Sequence, residues 1–358
     1  MLNKFKKNIK RIIKYLLFYV SPAYRILFNK SQILQERYEN LENECNYLKN
    51  EINMLRGLVN NNDREIRTYI TDTQNNDREI RTYITDTQNN YFEALFRTVQ
   101  FPILRNFEVH LAEHCNLNCF GCNHYSPLAN EEYLSIDKFT DDFARMFELT
   151  QGNVEYINLL GGEPLLNNDI IIYIEIARRY FLNSRINVVT NGLLILQKND
   201  NFFDICHKNK IVLCITKYPG IQWDKVEKYV ASHNIMLEYW EDKPNCKHSW
   251  YFPLDLSGKQ NAKENFLQCR DANSCIFLRK GRLFTCVIPP NIYHFNKYFG
   301  KNLTVSDEDS IDIYQARELR EILDFLSKPI PFCRYCRVND RRFDLQWKKS
   351  SKRIEEWT

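Results

Sequence analysis

The chain has 358 residues, of which 44% are apolar, 14% aromatic and 26% charged. Collagen-like, mucin-like and wholly disordered readings are excluded, and a ratio of about 150 residues per domain allows two or three units. The net charge of +4, from 49 Lys+Arg against 45 Asp+Glu, is too small for a nucleic-acid binder.

That charge is concentrated at one end. Residues 1–30 hold eight basic side chains and no acidic one, residues 31–100 hold eight basic and twelve acidic, and the remainder is neutral. Leu2, Phe5, Ile9, Ile12, Ile13, Leu16, Leu17 and Val20 recur at helical spacing opposite lysines. A basic amphipathic helix of this kind lies in an anionic membrane surface, here expected at the inner face. A signal peptide is the competing reading, but Lys14 leaves only Tyr15–Val20 uncharged, shorter than a normal apolar core.

Heptads begin at Leu34. One seam position runs Tyr38, Cys45, Ile52, Val59, Ile66 and the other Leu34, Leu41, Leu48, Leu55, Asn62, which predicts a coiled coil over 31–100 and assembly with further copies. Asn61–Gln74 recurs identically as Asn75–Gln88, and fourteen residues are two heptads, so the duplication lengthens a rod without shifting its seam.

After Pro102 the pattern becomes alternating strand and helix. Strands are predicted at Phe107–Leu111, Val154–Leu160, Arg185–Thr190, Ile211–Ile215 and Ile235–Trp240, with helices near 136–150, 169–182, 198–209 and 222–234. The rhythm implies parallel strands in an α/β barrel or doubly wound sheet. It fills a core domain over 101–250. A smaller cysteine-rich module follows over 251–345, then a charged tail, 346–358, expected to fray.

Of twelve cysteines, three fall within eight residues, at Cys115, Cys119 and Cys122. They follow the first strand, and clustered thiols of this kind suggest metal ligation in a reducing, cytoplasmic compartment. Gly161-Gly162-Glu163-Pro164 closes the second strand and Thr190-Asn191-Gly192 the third. A second group reads Cys275, Gly281, Cys286, then Cys333-Arg-Tyr-Cys336, a hairpin plus a knuckle. Cys206 and Cys214 fall in helix and strand patterns and read as inert core residues.

The first three motifs together resemble those of the radical SAM superfamily. The resemblance implies a partial (β/α)6 TIM-like barrel. It also implies a [4Fe–4S] cluster on Cys115, Cys119 and Cys122 whose open iron takes S-adenosylmethionine. Reductive cleavage would give a 5′-deoxyadenosyl radical that abstracts hydrogen from a substrate, with the electron coming from a flavodoxin or ferredoxin. S-adenosylmethionine would be held by Gly161, Gly162, Glu163, Pro164, Thr190 and Asn191, with Glu163 pairing with its ammonium. Where the family has an aromatic residue before the third cysteine, Gly121 stands here, so Phe120 or Tyr125 would pack on the adenine. His124 and Tyr125 face substrate or support the loop.

The second group looks like a SPASM or twitch extension holding one auxiliary [4Fe–4S] cluster on Cys275, Cys286, Cys333 and Cys336, with Cys246 and Cys269 over. A zinc knuckle of the same four residues is the alternative. The run 115–129 also looks like radical SAM proteins found beside glycosyltransferases in cell-envelope polysaccharide clusters, which implies a sugar or glycan substrate. A peptide-modifying enzyme and a non-catalytic iron–sulfur tether are the other readings.

Overall fold

The computed structural model describes residues 37–50, 103–239 and 248–358. The predicted amphipathic helix 1–30, most of the coiled coil, the repeat and Cys246 lie outside the described residues. The chain divides into two units, Met1–Val99 and Gln100–Thr358. In the first, 37–50 is helical, and the seam positions Tyr38, Leu41 and Leu48 are exposed on the single chain. Among the described residues no helix is long and apolar enough to cross a membrane.

The second unit is built on β1 (Leu104–Ala112), β2 (Val154–Gly161), β3 (Arg185–Thr190), β4 (Ile211–Ile215) and β5 (Met236–Tyr239), all parallel and in sequence order. Between them run α1 (Ile136–Thr150), α2 (Ile170–Tyr180), α3 (Asp200–Lys208) and α4 (Trp223–Ser232). Local chemistry sets these boundaries. The Ser135 hydroxyl accepts from Lys138 N at the start of α1, and the Asn199 side chain accepts from Phe202 N at the start of α3. Phe139, Phe143 and Met146 recur on one face of α1 and are buried, whereas Phe147 is exposed. The core closes where Phe143 and Phe181 meet Phe107 edge-on, at centroid distances of 5.3 and 5.7 Å.

The chain then continues through β6 (His248–Tyr251), α5 (Ala262–Gln268), β7 (Phe277–Arg279), β8 (Arg282–Phe284), α6 (Ile288–Phe299), β9 (Ser310–Asp312), α7 (Leu319–Leu326) and β10 (Arg342–Gln346). The hairpin expected at Gly281 is present. Lys280 and Gly281 both take positive φ, 50° and 76°, as a two-residue turn of primed type requires.

The sheet differs from the expected six-stranded succession. Among the described residues the parallel run ends at β5. The remaining parallel neighbour is β7, on the other side of β1, giving the order β5-β4-β3-β2-β1-β7-β8-β9. The cysteine-rich region therefore shares the core sheet: Glu108 N donates to Ile276 O at 2.7 Å. A separate ribbon pairs β10 with β6.

The tail is not frayed. Trp357 is 1% exposed, its indole N–H donates to Cys122 O at 2.9 Å, and Leu254 N donates to Trp357 O at 2.8 Å. Phe120 N donates to Lys348 O at 2.9 Å and Ser350 N to Asn118 O at 2.8 Å. Two tryptophans give this charged segment enough apolar surface to dock, which outweighs its polar composition.

Candidate active site

The inner face of the sheet explains why a site forms here. Along β1, Phe107, Val109 and Leu111 pack toward the helices, while the alternate residues Asn106, Glu108 and His110 are buried and polar. Buried polar groups are costly unless partnered, and Glu108 is partnered in register. Glu108 lies beside Asn158, which lies beside Asn187. Asn187 Nδ2 donates to Asn158 Oδ1 at 2.8 Å and Asn158 Nδ2 to Glu108 Oε1 at 2.7 Å. Burial pushes Glu108 up to about 7, with Asp271 adding to the rise and Asn158 opposing it. Period-2 polar positions inside otherwise apolar strands were the sequence signal for this ladder, which strand prediction alone passes over.

At the carboxyl ends of the strands is a cavity of about 360 Å³. Cys115, Cys119 and Cys122 all line it, on a loop in which Asn118, Gly121 and Tyr125 take positive φ. Leu117 N and Asn191 Nδ2 approach Cys115 Sγ at 3.4 and 3.6 Å. Burial pushes Cys115 and Cys119 up to about 12, with Glu163 adding at Cys115 and Cys122 at Cys119. Thiols held protonated in this way are poor nucleophiles, and a coordinated metal would displace their protons outright.

Gly161, Gly162, Thr190, Asn191 and Phe120 line the same cavity, whereas Glu163, Pro164 and Tyr125 do not. The glycines are required by β1. A Cβ on Gly161 would stand 2.2 Å from Ala112 O, and one on Gly162 2.1 Å from His114 O. In that close approach Gly162 N donates to Ala112 O at 2.8 Å and Glu163 N to His114 O at 3.1 Å.

Glu163 differs from the ammonium-pairing expectation. It is fully buried, with Oε1 accepting from Thr190 Oγ1 (2.7 Å) and Leu165 N (2.9 Å) and Oε2 from Asn191 N (2.8 Å). Both oxygens are used in tying the β2 and β3 loops together, so Glu163 positions the cavity-lining Thr190 and Asn191. Tyr125 also differs from expectation: it is 1% exposed and packs on Phe295 and Trp357, away from the cavity. Phe120 keeps a cavity face, with Lys348 Nζ 4.1 Å from its ring centroid. Gly121 has φ +64° and a Cβ there would meet Trp250 O at 2.9 Å, so no larger residue fits.

Behind the loop, Glu113 accepts from Arg279 Nη1 at 2.8 Å and meets His110 Nδ1 and His294 Nε2, each at 3.1 Å. Burial would raise Glu113, but His110, His294 and Arg279 hold it well below the usual carboxylate range. His110 Nε2 reaches His124 Nδ1 at 2.7 Å, which fixes His124 at the cavity edge. Sequence spacing did not reveal this network, because its members come from the end of β1, the hairpin and α6.

The second thiol group packs the expected Cys275, Cys286, Cys333 and Cys336 in one cluster, with Cys269 beside Cys333. Burial pushes Cys286 well up, and the thiols of Cys269, Cys336 and Cys333 add to that in turn. Cys269 lies against Cys333. Asn265 Nδ2 donates to Cys333 O at 2.9 Å, holding α5 on the knuckle so that Cys269, next after it, joins the group. Arg341 Nη1 reaches Cys269 Sγ at 3.0 Å and Asp271 Oδ2 at 2.6 Å. Cys275, beside Cys286 and Cys269, also lines the cavity with Glu108 and Asp271. Its position follows from β7, which starts two residues later and pairs beside Glu108. Cys206 and Cys214 are buried in the core as expected. Among the described residues no three His, Cys, Asp or Glu side chains form a group that could hold a single metal ion.

Residues 109–213 match the family model of the radical SAM superfamily. Over that stretch the chain is similar to the core of that superfamily. Molybdenum cofactor biosynthesis protein 1 of Dictyostelium discoideum is 29% identical over 152 residues, 38% of this chain and 23% of that protein. GTP 3',8-cyclase of Campylobacter jejuni subsp. doylei is 26% identical over 87 residues, 24% of this chain and 27% of that protein. The chain thus spans about a quarter of the length of these curated relatives. Among solved structures, BtrN in complex with AdoMet and 2-DOIA aligns at 12% identity with a TM-score of 0.42, covering 66% of this chain and 94% of that one.

Three half-buried thiols facing one cavity, beside a glycine turn and the Asn191 amide, fit a cluster with an open coordination position and a small ligand next to it.

Proposed function

We propose that the chain reductively cleaves S-adenosylmethionine at a [4Fe–4S] cluster on Cys115, Cys119 and Cys122, and that the resulting radical acts on a small polar substrate, a sugar or glycan precursor of the cell envelope. One observation carries this reading: the three thiols and the Glu108 carboxyl, which accepts from Asn158, line the same cavity. The cluster supplies the electron that breaks a sulfonium C–S bond. The chain's own residues do the rest. Gly161, Gly162, Thr190 and Asn191 shape the nucleotide's place, Phe120 offers a ring face, and the second oxygen of Glu108 receives a substrate hydroxyl.

An auxiliary [4Fe–4S] cluster belongs to Cys269, Cys286, Cys333 and Cys336 in this reading, revised from the set containing Cys275. Flavodoxin or ferredoxin supplies electrons, residues 1–30 rest on an anionic membrane surface, and the exposed seam of 37–50 pairs with another copy. Anaerobic reconstitution with iron and sulfide, then reductant and S-adenosylmethionine, should yield 5′-deoxyadenosine and methionine. A panel of nucleotide-sugars should stimulate the yield where peptides do not. Protein that takes up zinc and no iron would sink the proposal.

A further inference from the structure

Cys119 differs from the other two loop thiols in its partners. Cys115 is approached by Leu117 N and Asn191 Nδ2, from its own loop and the end of β3. Cys122 is approached by the backbone of the residues just after it and by Ser126. Cys119 instead has two aromatic polar side chains beside it, brought from far along the chain. The Trp347 indole N–H donates to its Sγ at 3.1 Å, and Tyr218 lines the same cavity with its ring centroid 6.0 Å from that indole.

Tyr218 follows β4, and Trp347 stands one residue past the end of β10. Trp347 lines that cavity too. An indole has one donor and no acceptor, so directing it at a sulfur commits its only hydrogen bond. The commitment is enforced by backbone. Immediately after Trp347 the tail pairs with the cysteine loop, through Phe120 N to Lys348 O, Ser350 N to Asn118 O and the bridge of Cys119 with Lys349. That ladder holds the Trp347 backbone beside the cysteine loop.

Resting on the cluster reading above, we propose that Trp347 and Tyr218 are positioning residues that tune the cluster. Their N–H and O–H draw negative charge from the Cys119 sulfur and raise the reduction potential of the cluster held by the loop. The physical basis is that reduction adds a negative charge. Donors already aimed at a ligand sulfur stabilise the reduced form more than the oxidised one. The docked tail is then part of the redox machinery, and the loop alone would give a cluster that is harder to reduce.

Trp347→Phe and Tyr218→Phe each keep a ring and remove one donor. The full chain is reconstituted anaerobically and titrated against mediators. The readout is the electron paramagnetic resonance signal that changes when S-adenosylmethionine is added. Each variant should be about tenfold harder to reduce, a lowering of about 59 mV for one electron, and the double variant lower still. Wild-type potentials in both single variants, with iron content and the S-adenosylmethionine response intact, overturn the proposal. Should Trp347→Phe load poorly because the tail undocks, Tyr218→Phe carries the test alone, and an unchanged potential there is decisive against it. A wild-type protein without an S-adenosylmethionine-responsive signal refutes the cluster reading of the cavity instead, so the two failures are distinct.

Discussion

The two thiol groups of this chain differ in what surrounds them. Cys115, Cys119 and Cys122 face a cavity, and burial raises them without a cation beside Cys115 to offset the nearby Glu163. Cys269 and Cys336 are under 9% exposed, and the Arg341 guanidinium, itself buried and stacked 4.7 Å over Phe252, pulls Cys336 back down against burial. The first arrangement leaves room for a ligand beside whatever the thiols bind. The second is more enclosed, with Cys269 and Cys336 buried, Cys286 and Cys333 half-buried and a guanidinium beside them, so it suits a closed cluster that supports the fold or relays electrons. Position relative to the cavity therefore separates the two roles better than cysteine spacing does.

Removing ligands is the largest perturbation of this contrast. Cys119→Ala should abolish 5′-deoxyadenosine formation and leave the iron of the enclosed group in place. Cys286→Ala should lose that iron, lower the melting temperature and aggregate more readily. Cys275→Ser sharpens the comparison: it should keep full iron content, whereas Cys269→Ser should lose the enclosed group's share. Iron and sulfide analysis of the four proteins decides it, and equal iron loss in Cys275→Ser and Cys286→Ala would restore the set read from spacing.

Next in size is Trp357→Ala. The indole is buried against Tyr125 and Phe299 and donates to Cys122 O, so its loss should cost about 3–5 kcal/mol. The effect should reach the open group first, because the tail clamps that loop. Denaturant melts report the stability, and cluster loading should fall at Cys115–Cys122 while the enclosed group keeps its iron. Gly162→Ala follows, by a different route. A methyl 2.1 Å from His114 O forces the β1 and β2 ends apart, so the melting temperature should drop and S-adenosylmethionine binding weaken.

Much of this was legible in the sequence. The five strands and four helices after residue 103 follow from periods of 2 and 3.6, with Ser135 and Asn199 marking helix starts, and Gly281 marked the hairpin. The loop triad and the glycine pair were found by spacing, because spacing is what those groups depend on. Three features were not legible, each because it depends on tertiary placement. That Cys275 also reaches the cavity is seen only once β7 is known to pair with β1. The tail reads as a solvated, charged segment until Trp347 and Trp357 find their partners. Glu163 looks like a ligand to an ammonium until both its oxygens are seen to be occupied.

A last test asks whether the open cavity is also the protein's electrostatic weak point. Glu108 is raised by burial from 4.5 to about 7. Between those values the unfolded chain has ionised while the native state keeps its proton, so the native state binds more protons. Its stabilising contribution is complete below 4.5 and is lost as pH rises through the window to about 7, at up to about 1.4 kcal/mol per pH unit. Glu108→Gln keeps an oxygen that can accept from Asn158 and cannot ionise. Melting curves of the two proteins should therefore converge near pH 4.5 and separate toward pH 7, with the variant the more stable at the upper end. A constant gap across that range would mean that Glu108 stays ionised in the cavity, through water or a cation there. The contrast between a wet, open face and an enclosed one would then rest on the cysteines alone.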